Sequence, residues 1–293
     1  MNIDKIIADK LDIKNDIDVS IYNNPETRFE SFQKISKIVN DYIPQIESFH
    51  DRKNELELKE KGYTVIDDFF TTEEVDKTLE IIKVSDGYNY HIAINAFNQE
   101  VRTLANMGDW NIMSFMPDVF IKSPLLLNKF IDKRCVSLAQ SYFGCFPTLY
   151  SVNCTVSKFV GKEFKTQTVH RDFDDFKFLS FFVYLSDIDT NNGPHVYFPG
   201  TQNGNSQSSE PLEICGKKGT VVVTDVYGLH YGKPLVEKDR IILWFRFGLS
   251  LNKMYYKNQD FKFSQDASVI FSHIPNTLHN KYLLRGFINN VSI

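Results

Sequence analysis

Two side chains able to bind a metal stand two positions apart in the segment Thr168-Val169-His170-Arg171-Asp172. On an extended backbone alternate residues project from one face, so His170 and Asp172 can reach the same ion. A tripeptide of this kind arises by chance in many chains and needs a third donor from elsewhere. The candidate is His230 in GTVVVTDVYGLHYGKP, where it follows a strand and sits in a glycine-flanked turn. Two imidazoles and one carboxylate on one face of an octahedral ion leave three positions open, the arrangement associated with non-haem Fe(II) oxygenases.

Arg240 opens the strand DRIILWFRFG, ten residues beyond His230. Strand alternation sets Arg240, Ile242, Trp244 and Arg246 on one face and Ile241, Leu243, Phe245 and Phe247 on the other. A guanidinium directed into a sheet interior needs an anionic partner, because an unpaired buried charge is costly. A dicarboxylate co-substrate would supply one, forked against Arg240. Arg246, on the same face, is a rival holder of that carboxylate.

The elements that must position these residues are mostly short strands. From residue 148 onward the chain runs through TLYSVNCTVSKFV, KFLSFFVYLSDI, HVYFPG, GTVVVTDVYG and DRIILWFRFGLS, rich in Val, Phe, Tyr and Thr and divided by Gly, Pro and Asn turns. Before them the texture is helical. ETRFESFQKISKIVNDY (26–42) places apolar residues at helical spacing, the charged stretch 51–62 bridges to a short strand YTVIDDFF, and Thr71 with Glu74 forms a capping box. Asp67 and Asp68 fit the entry to that helix better than acid–base work. Ser123-Pro124 opens a helix of about 20 residues closed by Gly144, and a final helix is expected near NTLHNKYLLRGFI. Helices first and many short strands afterwards predict a mainly β fold with flanking helices, an antiparallel double sheet of the jelly-roll, cupin-like kind. We expect an N-terminal helical extension over 1–55 and the main domain over 56–293.

Composition narrows the function classes. The net charge of -4, from 33 basic and 37 acidic residues without long blocks, leaves no footprint for nucleic acid or an anionic membrane. A small-molecule substrate is the better default. Four cysteines at 135, 145, 154 and 215 form no C-x-x-C pair, which argues against a zinc knuckle or a disulfide scaffold. The first residues lack an uninterrupted apolar region and a cleavage site, and no apolar run is long enough to span a bilayer. A cytoplasmic location is expected.

The order of these features carries a resemblance. H-R-D, a strand ending in Leu-Ser-Asp, an Asn-Gly-Pro turn, a Pro-Gly-Thr turn, a Gly-Thr strand, His230 and then Arg240 resemble the phytanoyl-CoA dioxygenase-like family of Fe(II)/2-oxoglutarate oxygenases. KGYTVIDDFFTTEEVDKTLEII is similar to that family's opening strand and helix, so the likeness covers roughly 57–248. It implies a double-stranded β-helix with Fe(II) held by His170, Asp172 and His230. It further implies 2-oxoglutarate on the iron with its far carboxylate on Arg240, and use of O2 to give succinate, CO2 and a hydroxylated substrate. Retention of Asp172 favours hydroxylation, since halogenating relatives carry a small residue there. Two positions depart from the pattern. Many relatives have a serine or threonine two residues after the distal histidine, where this chain has Gly232; Tyr231, or Asn153, Thr155 or Ser157 on the 148–160 strand, could assist the carboxylate instead. His195 stands where relatives often carry a small apolar residue.

Two other readings stay open: a cupin-like enzyme using zinc or manganese without an oxo acid, and a non-catalytic binding protein on the same scaffold. Arg240 discriminates against the first. His195 and His91 are candidates for substrate contact, Trp244 for the pocket wall, and Phe173-Asp174-Asp175-Phe176 either borders the substrate or forms a solvated acidic turn. Segment 85–120 is expected to form part of the substrate wall.

Overall fold

The computed structural model describes residues 3–11, 24–90, 100–159, 167–205, 210–249 and 265–289. Its eleven main strands are β1 (Tyr63–Ile66), β2 (Gly87–Asn89), β3 (Val101–Arg102), β4 (Ile112–Phe115), β5 (Thr148–Ser157), β6 (Phe178–Tyr184), β7 (His195–Tyr197), β8 (Leu212–Ile214), β9 (Val221–Thr224), β10 (His230–Gly232) and β11 (Arg240–Gly248). They form an eight-stranded sheet, in the order β1-β9-β6-β11-β5-β4-β2-β3, and a three-stranded sheet, β10-β7-β8. All pairings within both sheets are antiparallel. The expected double-sheet architecture with flanking helices is present.

Alternation along β11 divides its side chains as expected. Leu243, Phe245 and Phe247 are fully buried in the main apolar cluster, where Phe245 stacks on Phe181 and meets Phe130 of helix Pro124–Phe130. Ile242 belongs instead to a second cluster with Tyr184, Tyr197, Ile214 and Val222, which fills the space between the two sheets. The large sheet thus carries helices on one face and the small sheet on the other. Pairs of aromatic rings in such contact add to the area-based stabilisation of a core.

Three local readings differ from the structure. The charged stretch 51–62 is a helix, Arg52–Lys61, capped by Asp51 and closed by Gly62 at φ 82. It buries only Leu58, so no apolar periodicity announces it; pairs such as Lys59 with Glu55 support it instead. The helix expected over some 20 residues from Pro124 is two, Pro124–Phe130 and Lys133–Phe143, because Asp132 caps the second by accepting from the Arg134 backbone N–H. His230 lies on a short strand rather than in a turn. The capping box at Thr71 and Glu74 is formed, and the terminal helix spans Leu278–Leu284. All four cysteines are free. Among the described residues no helix is long and apolar enough to cross a membrane.

Candidate metal centre and its cavity

The segment around His170 extends the small sheet by one bridge. His170 and His230 exchange backbone hydrogen bonds, each of 3.0 Å, and the Asp172 N–H donates to the Val226 carbonyl at 2.9 Å. These bonds fix the register that sends His170 and Asp172 to one side. Arg171, between them, points away and donates to the carbonyls of Thr201, Tyr227 and Asn205, tying the segment to two loops. The Pro-Gly-Thr turn braces the approach to His230 through the Thr201 hydroxyl, which accepts from the Leu229 N–H at 2.8 Å. Gly228 is required in that approach, since a Cβ there would lie 2.0 Å from the Tyr197 hydroxyl.

One donor atom from each of His170, Asp172 and His230 lies within 4.8 Å of the others. Asp172 Oδ1 is 3.6 Å from His170 Nε2, and its Oδ2 is 3.9 Å from His230 Nε2. The chemistry of the donors fits a divalent ion. His170 Nδ1 is 2.7 Å from the Thr168 carbonyl and His230 Nδ1 2.9 Å from the Gly228 carbonyl. A carbonyl only accepts, so each Nδ1 carries the proton and each Nε2 keeps its lone pair for a metal. Burial pushes the pKa of His230 down to about 4, even against the pull of Asp172, so its ring is neutral at ordinary pH. Burial also works against the charge of Asp172, but Arg246 and the two imidazoles outweigh it and hold the carboxyl below its usual range.

Arg246 is committed to carboxylates. Its Nη2 donates to Asp172 Oδ2 at 2.8 Å and its Nη1 to Asp174 Oδ2. Asp174 also accepts from the Tyr150 hydroxyl at 3.0 Å. Burial and the neighbouring Asp172 raise the Asp174 pKa in spite of Arg246. The acidic loop is therefore part of a charge network beneath the triad, a role that its sequence left open between substrate contact and solvated turn. The only cue was the spacing of a second aspartate two residues after the first.

The triad faces a cavity whose far end holds Arg240. Arg240 Nη1 donates to the Gly193 carbonyl. Burial disfavours its charge, and among the described residues no carboxylate pairs with it. Gly193 has φ 68, and a Cβ there would lie 2.7 Å from both Leu235 Cδ2 and the Lys233 carbonyl oxygen, so the Asn-Gly-Pro turn can be built only with glycine. Across the sheet Arg240 pairs in register with Ser157, and Ile242 with Thr155; both Ser157 and Thr155 line the cavity. Asn153 pairs in register with Trp244 but stands outside the lining, with its Oδ1 buried and unpartnered among the described residues. Trp244, Tyr90 and Ile112 also line the cavity, the last two from the 85–120 segment. His91 lies outside the described residues. Gly232 and His195 are lining residues too; Tyr231 is not among them.

Known structures share this architecture. HygX from Streptomyces hygroscopicus, in a structure with nickel and 2-oxoglutarate bound, matches at 16% identity with a TM-score of 0.50, covering 68% of this chain and 87% of that one. The α-ketoglutarate-dependent epimerase SnoN from nogalamycin biosynthesis matches at 14% identity and TM-score 0.51, covering 67% and 81%. The carbocyclase SnoK of the same biosynthesis matches at 14% and 0.50, covering 68% and 84%. At such identities the likeness establishes a shared fold. No curated protein sequence matches the chain. The family pattern of phytanoyl-CoA dioxygenase (PhyH) matches residues 58–240, most of the chain and both ends of the cavity, and the chain belongs to the PhyH family.

Proposed function

We propose that the protein is an Fe(II)- and 2-oxoglutarate-dependent oxygenase that hydroxylates a small or medium-sized organic metabolite. The observation that carries this reading is the pairing of two features in one cavity: three donors with lone pairs freed for a metal, and Arg240 with no carboxylate of its own among the described residues. His170, Asp172 and His230 hold the iron. Arg240 pairs with the far carboxylate of 2-oxoglutarate, with the hydroxyls of Ser157 and Thr155 on the neighbouring strand. With iron bound, the centre couples O2 and the conversion of 2-oxoglutarate to succinate and CO2 to oxidation of the substrate.

The remaining residues orient and shield. Arg246 holds Asp172 by one oxygen and thereby fixes the carboxylate's rotation. Phe182, Ile112 and Trp244 exclude water from the cavity walls. A metal enzyme without an oxo acid would leave Arg240 without an anion, which is why the rival reading is weaker. The epimerase and the carbocyclase among the similar structures make the product, not the co-substrate, the open variable.

The test is an anaerobic titration of the protein with Fe(II) and then 2-oxoglutarate, followed by O2 and assays for succinate and for oxygen incorporated into candidate metabolites. Saturable 2-oxoglutarate binding and succinate formation, both lost in Asp172→Ala, are the expected result. Metal binding without any 2-oxoglutarate binding would sink the proposal.

A further inference from the structure

His195 is a cavity residue whose chemistry the preceding reading leaves unused. It is 6% exposed, and its Nε2 has no hydrogen-bond partner among the described residues. The ring lies between Phe182, at 4.8 Å between centroids, and His230, at 5.4 Å. An imidazole nitrogen buried without a partner is costly unless a ligand completes it. Its place in the sheets indicates which ligand atom that is. His195 of β7 stands directly opposite Gly232 of β10, and residues directly opposite on an antiparallel pair project to the same side. The Gly193 carbonyl that accepts from Arg240 belongs to the same turn, two residues before His195.

We propose that the ring N–H of His195 donates to the far carboxylate of the co-substrate that Arg240 pairs, on the side of the cavity that Gly232 leaves without a side chain. This rests on the 2-oxoglutarate reading above. It makes His195 a binding residue for the distal end of the co-substrate, with no contact to the metal.

The experiment is calorimetric titration of the anaerobic Fe(II)-loaded protein with 2-oxoglutarate and, separately, with pyruvate, an oxo acid lacking the far carboxylate. His195→Leu should weaken 2-oxoglutarate roughly 10- to 100-fold, the loss expected for one hydrogen bond to a charged group, while leaving pyruvate and Fe(II) affinity unchanged. His195→Gln retains an N–H donor and should bind 2-oxoglutarate more tightly than His195→Leu. Adding Gly232→Ser to His195→Leu should recover most of the loss. Should His195→Leu prove unfolded by its thermal melt, the comparison passes to His195→Met, which also removes the donor; weakening confined to 2-oxoglutarate supports the proposal, and unchanged 2-oxoglutarate binding or a parallel weakening of both oxo acids overturns it. Unchanged 2-oxoglutarate binding in a folded His195→Leu, or equal weakening of pyruvate, overturns it as well. Wild-type protein that binds no 2-oxoglutarate would instead refute the functional reading itself.

Discussion

Arg240 and Arg246 lie on the same face of one strand, six residues apart, and line the same cavity. Alternation makes them equivalent, yet their surroundings differ. Arg246 bonds two carboxylates, Asp172 and Asp174, whereas Arg240 bonds a backbone carbonyl and meets no carboxylate among the described residues. A guanidinium already paired is part of the protein's architecture; one held without an anion is a receptor for one. The distinction rests on partners, which a strand pattern does not encode.

The comparison breaks most visibly if Arg246 can be removed without penalty. Arg246→Met leaves two buried carboxylates facing each other without their cation, and removal of one member of a buried pair costs about 3–5 kcal/mol. Denaturant unfolding should register a loss of that size, and Fe(II) affinity should fall roughly 10- to 100-fold because Asp172 loses its orienting bond. A stability loss below about 1 kcal/mol would place Arg246 with Arg240 rather than against it.

Arg240→Met is the reciprocal case. Replacing a desolvated cation that has no anionic partner with an apolar side chain of similar length should change the unfolding free energy by less than about 1 kcal/mol, or raise it. Its effect belongs to binding: 2-oxoglutarate affinity should drop by roughly 30-fold or more, with Fe(II) affinity retained. A variant that unfolds as Arg246→Met does would erase the contrast. Asp174→Asn sharpens it at an intermediate level. With one carboxylate neutralised, Arg246 serves Asp172 alone, so the expected loss is about 1–2 kcal/mol, smaller than for Arg246→Met because no charge is stranded. Denaturation of the two variants side by side ranks them.

Much of the cavity was legible in the sequence, for identifiable reasons. His170 and Asp172 share a face because strand alternation is geometric, and the turn motifs Asn-Gly-Pro and Pro-Gly-Thr require particular backbone shapes, as Gly193 with φ 68 illustrates. What alternation could not convey was the pairing of groups far apart in the chain. Asp174 meets Arg246 across 72 positions, and the opposition of His195 and Gly232 depends on the register of two three-residue strands. Helix Arg52–Lys61 escaped for a different reason. It is held by caps and ion pairs rather than by an apolar stripe, so the period that reveals most helices is absent from it.

That same helix supplies a committed charge outside the cavity, and with it the smallest of the expected effects. Glu55 bonds Lys59 at 2.6 Å and accepts from the Ser141 hydroxyl, linking its helix to Lys133–Phe143. Lys59 first and Ser141 second lower the Glu55 pKa from 4.5 to about 2, against the opposing effect of burial. Because the folded value lies below the unfolded one, the unfolded chain takes up the proton first as pH falls. The contribution of Glu55 is therefore complete above pH 4.5 and lost progressively toward pH 2. Its side chain is 17% exposed, and with solvent screening the contribution at neutral pH is about 1 kcal/mol. Glu55→Gln should lower stability by that amount at pH 7, and the difference from wild type should shrink on acidification through this window. Curves of unfolding free energy against pH that remain parallel for the two proteins would show that Glu55 is not committed in the manner of Arg246, and that burial beside the cavity, rather than pairing itself, makes a charge structural in this fold.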